Sequence, residues 1–470
     1  MNYTVKGYSD VLVGVQFGDE GKARVIDNIA NEYDLIARFN GGPNAGHTIE
    51  VGNTRIALHQ IPSGVFHDNM LLYIGSGCVL NLEKLLDEVQ EITEKGFSVD
   101  GRLFISDQAT IIQPHHILLD EITGESIGTT KNGIGPAYAD QALRSDGINL
   151  RNLRVGDVLD NPNLAFATIA GNYTNTAITY SSRQRKNSYE MAEKIVNAAN
   201  ILRKLVCRNP LYLDDLVRGG KKVLFEGAQA SMLDVEKGIV PHVTSSHTIA
   251  GFAYVGGDLS PQYHRKTIGV AKAVMSRVGN GPFVSEFGGI KSEEYCAEES
   301  GKKNTKEVEF ATYSIAELLA SGDMFKIGIA LRMLGNEYGA TTKRPRRIGM
   351  LDLLSLAQNC RINGVNELYI NKIDCLTDFA KTPLEGIPLV EAYNLGGQEI
   401  KSVPGTSKAN RNANPIVKYL PHIQSDLSSA REYSQLTKEA KRLIEHIGQF
   451  VDCKVAGVGV GPEREQFITI

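Results

Sequence analysis

The chain has 470 residues, 42% of them hydrophobic and 22% charged, a globular balance that excludes intrinsic disorder. Fifty Lys plus Arg against 54 Asp plus Glu leave a formal charge of −4, too small over this length for a general polyanion binder. No apolar run reaches about 18 residues and the opening Met1–Asp10 lacks a secretory core. A cytoplasmic enzyme with neither membrane nor nucleic-acid partner is therefore expected. Six scattered cysteines without a Cys-x-x-Cys pair read as reduced thiols rather than as a disulfide scaffold or zinc cluster.

In chain order, Asp10–Val15 is a β-branched apolar run expected to form a buried strand. It empties into Gln16–Lys22, a glycine loop, after which Ala23–Ala30 has helical spacing. A second strand over Tyr33–Arg38 leads into a glycine-rich stretch, Phe39–Thr48. Further buried strands are expected at Met70–Ile74, Leu103–Ser106, Val223–Phe225, Ile268–Val270 and Glu367–Ile370, and amphipathic helices at Asn81–Glu94, Ser188–Val206 and Leu436–Ile447. Strands alternating with helices predict an α/β fold, a largely parallel central sheet with flanking helices. The first loop departs from the usual P-loop: six residues separate Gly14 from Gly21, and Ala23 stands where Ser or Thr is usual. No repeat or clean linker divides the chain. The stretches around 160–187 and 288–312 read as irregular, the second as a polar surface excursion.

Several loops hold the residues with chemistry. In Gly18-Asp19-Glu20-Gly21-Lys22, amides opening a helix suit phosphate oxygens, and Asp19 suits either Mg²⁺ binding or base work; a plain turn is the alternative. Gly41–Thr48 sets His47 beside three glycines and Asn44, which points to a backbone shaped around a ligand and a histidine donating to developing phosphoryl charge; a capping histidine is the alternative. Gly128–Pro136, Glu226–Gln229 and Val243–Ser246 offer hydroxyls and amides to a sugar phosphate or base edge, as ordinary loops also do. Lys343-Arg344-Pro345-Arg346-Arg347 reads as a clamp for carboxylate and phosphate groups. Asn371-Lys372-Ile373-Asp374 follows a strand, and its aspartate suits guanine, whose N1–H and 2-amino group both donate where adenine has neither donor. Together with a phosphate loop this implies GTP.

Taken in order, these segments resemble the adenylosuccinate synthetase family, which joins IMP and L-aspartate at the expense of GTP. The matching stretches are Gly14–Asp27, Phe39–Thr48, Gly128–Arg144, Phe225–Asp234, Pro241–Ala250, Ser276–Glu286, Asn336–Asp352, Asn371–Asp374 and Gly459–Arg464. The resemblance implies one P-loop-NTPase-like domain over 1–470, with a variant phosphate loop and a surface insertion near 288–335. It implies a ligase of the AMP branch of purine biosynthesis, working through a 6-phosphoryl-IMP intermediate as a homodimer.

It further implies Asp19 as catalytic base and Mg²⁺ ligand, with the Gly46 carbonyl as a second ligand to one Mg²⁺ per subunit. His47 would assist phosphoryl transfer, and Gln229 would be catalytic. IMP would be met by Asn44, Thr130, Gln229, Thr244 and Arg344, and by Arg144 reaching across the dimer interface. Aspartate would be met by Ala340, Thr341, Thr342, Arg344 and Arg346. GTP would be met by Gly18, Gly21, Lys22, Gly46 and Thr48, by Arg346, and at the base by Lys372, Asp374, Gly459 and Gly461. The family's pattern differs here at Phe17 (usually Trp), Ala23-Arg24 (Gly-Lys), Lys131-Asn132 (Gly-Arg), His247 (Asn), Pro345 and Gly459 (Ser). Two alternatives stand beside this reading: a relative using another 6-oxopurine nucleotide such as dGMP, and a regulatory GTP-binding protein.

Overall fold

The computed structural model describes residues 7–44, 46–51, 54–124, 129–144, 152–180, 187–339 and 343–470. They form two compact units. The first takes residues 1–12, 26–229 and 244–266, the second 13–25, 230–243 and 267–470, so the chain passes from one to the other inside its first strand.

In the first unit, parallel strands run in the order Tyr8–Gly14, Lys222–Glu226, Leu35–Arg38, Leu71–Ile74, Leu103–Ser106 and Val206–Cys207. The register sets Val11 beside Phe225 and Phe225 beside Ala37. All three are fully buried, as expected where helices cover a parallel sheet on both faces. Helices Leu82–Glu94, Pro114–Thr123, Ile134–Leu143, Pro162–Thr179 and Ser188–Leu202 belong to this unit.

The second unit has parallel strands His264–Lys272 (from Thr267), Val365–Asn371 and Lys454–Gly459, with Phe467–Thr469 antiparallel at the edge. A smaller sheet combines Leu351–Asp352, Ile387–Leu395, Gln398–Ile400 and Ala413–Leu420. The α/β reading holds: both units are built on parallel strands joined through helices, and the Tyr8–Gly14 strand, the loop after it and the Lys22–Ile29 helix follow the expected order.

Two expectations need correction. Residues 162–179 are one helix, capped by Asn161, with Pro162 in its first turn. It buries Ala165, Ile169, Ala170, Tyr173 and Ala177, a face of mostly small residues that gives a weak apolar pattern in the sequence. The polar run 288–312 is also helical, as Ile290–Cys296, Glu298–Lys303 and Lys306–Thr312, and it is more than a surface excursion, because Ser292, Gly301 and Glu309 are buried. Among the described residues no helix is long and apolar enough to cross a membrane.

Candidate active site

In the second unit the phosphate loop sits among charged side chains. Gly18, Asp19 and Gly21 take φ of 93°, 57° and 84° before the helix begins at Lys22. Glycine adopts that region freely, whereas Asp19 bears a strain cost. Glu20 folds back into the loop: its Oε1 accepts the Gly18 N–H at 2.7 Å and its Oε2 accepts from Lys22 Nζ at 2.8 Å. An amide and an ammonium suited to a phosphate oxygen are thus engaged by the chain's own anion.

Asp19 is 43% exposed, and its Oδ2 lies 2.7 Å from one terminal nitrogen of Arg346. The other terminal nitrogen lies 2.7 Å from Glu337 Oε2. Glu337 is buried and also accepts from Lys272 at 3.0 Å, Lys372 at 2.5 Å and the Ser276 hydroxyl at 2.9 Å. Lys272, itself fully buried, donates further to the Asp19 carbonyl at 3.2 Å. Loss of water alone would push both carboxyls up. The cations Lys272, Lys372 and Arg346 nevertheless hold Glu337 well below the usual carboxylate range, and Arg346 with Lys272 lowers Asp19 in the same way. Burial lowers the Lys272 ammonium in turn. The result is an ionised, solvent-reached carboxylate beside a guanidinium, able to accept a proton or ligate a hard cation.

The guanine-type motif adjoins this cluster. Asn371 ends the Val365–Asn371 strand, and its Nδ2 donates to the Glu20 carbonyl at 2.7 Å, tying motif to phosphate loop. Lys372, at φ 63°, reaches the Gly335 carbonyl at 2.7 Å besides Glu337. Burial pushes the Asp374 carboxyl up, and its buried Oδ1 has no hydrogen-bond partner among the described residues. Such an acceptor is costly until a ligand supplies donors. Arg24 donates to the Gly461 carbonyl at 2.6 Å and to the Glu463 carbonyl at 2.5 Å, fastening the loop after the Lys454–Gly459 strand. A Cβ on Gly459 would stand 2.6 Å from Asn371 Oδ1 and 3.0 Å from Arg24 Nη1, so the departures at 24 and 459 are neighbours, and a serine there would require these side chains to shift.

The first unit assembles the other loops from neutral groups. Asn40 exchanges two hydrogen bonds with the backbone of Ala228, accepting its N–H at 2.8 Å and donating to its carbonyl at 3.2 Å. The Gly41 N–H donates to the Tyr138 hydroxyl, which donates to the Gly77 carbonyl at 2.7 Å. Gly41 takes φ 76°, and a Cβ there would stand 2.9 Å from the Ala228 methyl and 3.1 Å from Gln229 Oε1. Asn44 accepts from the Gly42 N–H at 3.3 Å. Gln229 therefore borders the glycine stretch, Thr244 is half-buried, and Thr130 and Gly46 are exposed. Arg144, at φ 62°, is exposed at the end of the Ile134–Leu143 helix, after Leu143 at 65% exposure.

That helix is tied to Pro114–Thr123 by His115 and His116, whose Nε2 atoms donate to one oxygen of Asp140 at 2.9 and 3.0 Å. The three could surround a metal ion. However, the Gln113 N–H donates to His116 Nδ1 at 3.0 Å, which places the histidine's proton on Nε2, the atom a metal would need. The cluster is a structural tie.

Ala340, Thr341, Thr342 and the side chains of His47 and Thr48 lie outside the described residues. The backbone of His47 opens a strand paired with Thr54–Leu58. Of the remaining expected residues, the second unit gathers Gly18, Asp19, Gly21, Lys22, Arg346, Lys372, Asp374, Gly459 and Gly461, while Arg344 is half-buried in the same unit. Sequence reasoning missed Lys272 and Glu337. A lysine closing the apolar run Ile268–Lys272 was the one available sign, and nothing local marks Glu337.

A family model described as adenylosuccinate synthetase matches residues 11–468. Adenylosuccinate synthetase 2 of Cupriavidus pinatubonensis is 42% identical over 463 residues, 98% of this chain and 97% of that protein. Among solved structures, fully ligated adenylosuccinate synthetase from Plasmodium falciparum is similar with a TM-score of 0.80 at 29% identity, covering 98% of this chain and 99% of the other. The succinoaminodeoxyadenylate synthetase of cyanophage S-2L, bound to dGMP and dATP, is similar in fold at a TM-score of 0.59 and 18% identity, over 98% and 95% of the two chains. The motif resemblance thus extends along nearly the whole sequence, and the structure bound to dGMP is the more distant of the two. This chain belongs to the adenylosuccinate synthetase family.

Proposed function

We propose that the chain is a GTP-dependent ligase that joins IMP and L-aspartate to give adenylosuccinate, GDP and phosphate. The observation that carries this reading is Asp19, an ionised carboxylate in a phosphate loop, paired with Arg346 beside the Lys272–Glu337 cluster. O6 of IMP is a poor leaving group until phosphorylated. As Asp19 takes the N1 proton, O6 attacks the γ-phosphorus and GDP leaves. His47 donates to the charge that develops during transfer. The aspartate amine then attacks C6, loses a proton, and phosphate departs with the C6–O6 bond.

Asn44, Thr130, Gln229, Thr244 and Arg344 would orient IMP. Arg344, Arg346 and residues 340–342 would bind the aspartate carboxylates. Gly18, Gly21, Lys22, Gly46, Thr48 and Arg346 would meet the GTP phosphates, and Lys372, Asp374, Gly459 and Gly461 the base. The orphaned Asp374 oxygen supports guanine, whose two N–H donors meet one carboxylate. A carboxylate (Asp19) and a carbonyl (Gly46) are hard oxygen donors that fit Mg²⁺, which would neutralise phosphate charge.

Exposed Leu143 and Arg144 support a homodimer in which Arg144 serves the partner's IMP. Six free cysteines fit a reducing cytoplasm. Both units would act as one functional domain over 1–470, with an insertion near 288–335. Phosphate release from GTP, measured with IMP, dGMP and aspartate omitted in turn, tests the reading. Release that needs IMP and aspartate together supports it. Release with GTP alone overturns it, and dependence on dGMP moves the acceptor.

A further inference from the structure

The helical run 290–312 sends one carboxylate into the interior of the second unit. Glu309, on Lys306–Thr312, is fully buried. Its Oε1 pairs with Arg332 Nη1 at 2.5 Å, and its Oε2 accepts from the Tyr338 hydroxyl at 2.6 Å. Arg332, 1% exposed on the Met324–Leu334 helix, directs Nε to the Arg346 carbonyl at 2.8 Å and Nη2 to the Cys296 sulfur at 3.5 Å. The ring of Tyr295 lies 5.5 Å from the guanidinium carbon.

These contacts converge on the backbone that carries Arg346. Tyr338 bridges antiparallel to Pro345, and the Arg346 N–H donates to the Glu337 carbonyl at 3.0 Å. The Glu337 N–H donates to the Arg332 carbonyl at 2.9 Å, and the Lys306 N–H reaches the Lys343 carbonyl at 3.3 Å. A guanidinium holds its donors in a rigid planar fork. With Glu309 fixing one arm of Arg332 and the Arg346 carbonyl receiving another, the height of Arg346 above the Met324–Leu334 helix is set. The side chain of that residue is the one divided between Asp19 and Glu337.

We propose that Glu309 and Arg332 are positioning residues of the ligase site: the pair clamps the Arg346 backbone so that its guanidinium is presented beside Asp19 for an anionic substrate. The helices of 290–312 are then a frame for this arginine and not a spacer. This rests on the reading of Arg346 as an aspartate- and phosphate-binding residue.

The full chain is assayed with IMP, GTP and L-aspartate varied in turn. Glu309→Gln is expected to raise KM for L-aspartate about tenfold, as a displaced clamp should, with KM for IMP unchanged. Tyr338→Phe, which removes one hydroxyl and keeps the buried ion pair, should move the same constant in the same direction by about twofold. On an Arg346→Lys background Glu309→Gln should add nothing, because its effect passes through the fork of Arg346. A lower unfolding temperature with all three KM values unmoved in both single variants overturns the inference, as does an additive loss on Arg346→Lys. A wild-type chain that makes no adenylosuccinate overturns the functional reading, and the inference with it.

Discussion

The glycine stretch of the first unit and the phosphate loop of the second are shaped by different physics. Around Asn40–Asn44 the groups are neutral, donors and acceptors meet protein partners, and Gly41 is required by the crowding of Ala228 and Gln229. Around Gly18–Lys22 the shape is held by ions: Glu20 closes the loop, and Glu337 collects three cations. Glycine richness therefore marks close backbone packing in one place and a strained turn in the other. The reactive character lies with side chains that carry no glycine signature. A neutral scaffold tolerates loss of one bond at a net cost of about 1 kcal/mol, whereas a buried ionic hub cannot lose its centre so cheaply.

The sharpest way to break the contrast is Asp19→Asn. An amide can neither take the N1 proton nor stay paired as an anion with Arg346, so turnover should fall by about 10² to 10⁴ with the fold intact. Activity within tenfold of wild type would remove Asp19 from the chemistry. Glu337→Gln leaves the buried Lys272 and the half-buried Lys372 without their carboxylate. Its unfolding free energy in urea should drop by about 3–5 kcal/mol; a drop below 1 kcal/mol would show that the hub does not hold the loop.

Asp374→Asn should cost at least about a hundredfold in kcat/KM for GTP, from two charge-assisted bonds, and should gain XTP, whose C2 carbonyl an amide can serve. Unchanged GTP use, or no gain with XTP, would leave the orphaned oxygen without a task. An effect of similar size is expected in the first unit. Burial pushes the His116 imidazole down from 6.5 to about 4. The folded protein keeps it uncharged, while the unfolded chain takes up a proton first as pH falls. Stability is therefore fully present above pH 6.5 and is lost between 6.5 and 4, by on the order of 3 kcal/mol. Urea midpoints at pH 7.5 and 4.5 should converge when His116→Gln is compared with wild type; equal pH slopes would contradict the assignment.

Much of this was legible in the sequence. The strands at Asp10–Val15, Leu103–Ser106 and Glu367–Ile370 announce themselves as β-branched or apolar runs, and the loops after the first and the last carry motifs with fixed internal spacing. Local signals failed where side chains meet across long separations. Glu337 and Lys272 are 65 residues apart, and only the apolar run that Lys272 closes sets either apart from an ordinary surface charge. The helix Pro162–Thr179 escaped because the three alanines on its buried face blunt the apolar period. The run 288–312 was misread because its buried residues are polar or small, and the fully buried Glu309 is of a kind almost never buried unless paired, its partner Arg332 lying in a separate helix.

The hydrogen bond from Asn371 to the Glu20 carbonyl spans 351 residues of chain. At a synthesis rate of about 5–20 residues per second, the phosphate loop leaves the ribosome roughly 20–70 s before that partner exists. Through that interval the loop lacks its tie to Asn371, although Lys272 and Arg346, which meet Asp19, are made before it. Nascent chains arrested before residue 371 should therefore expose residues 15–21 to protease, and chains released beyond residue 371 should protect them. The nucleotide end of this enzyme is among the first segments made and among the last to take its shape.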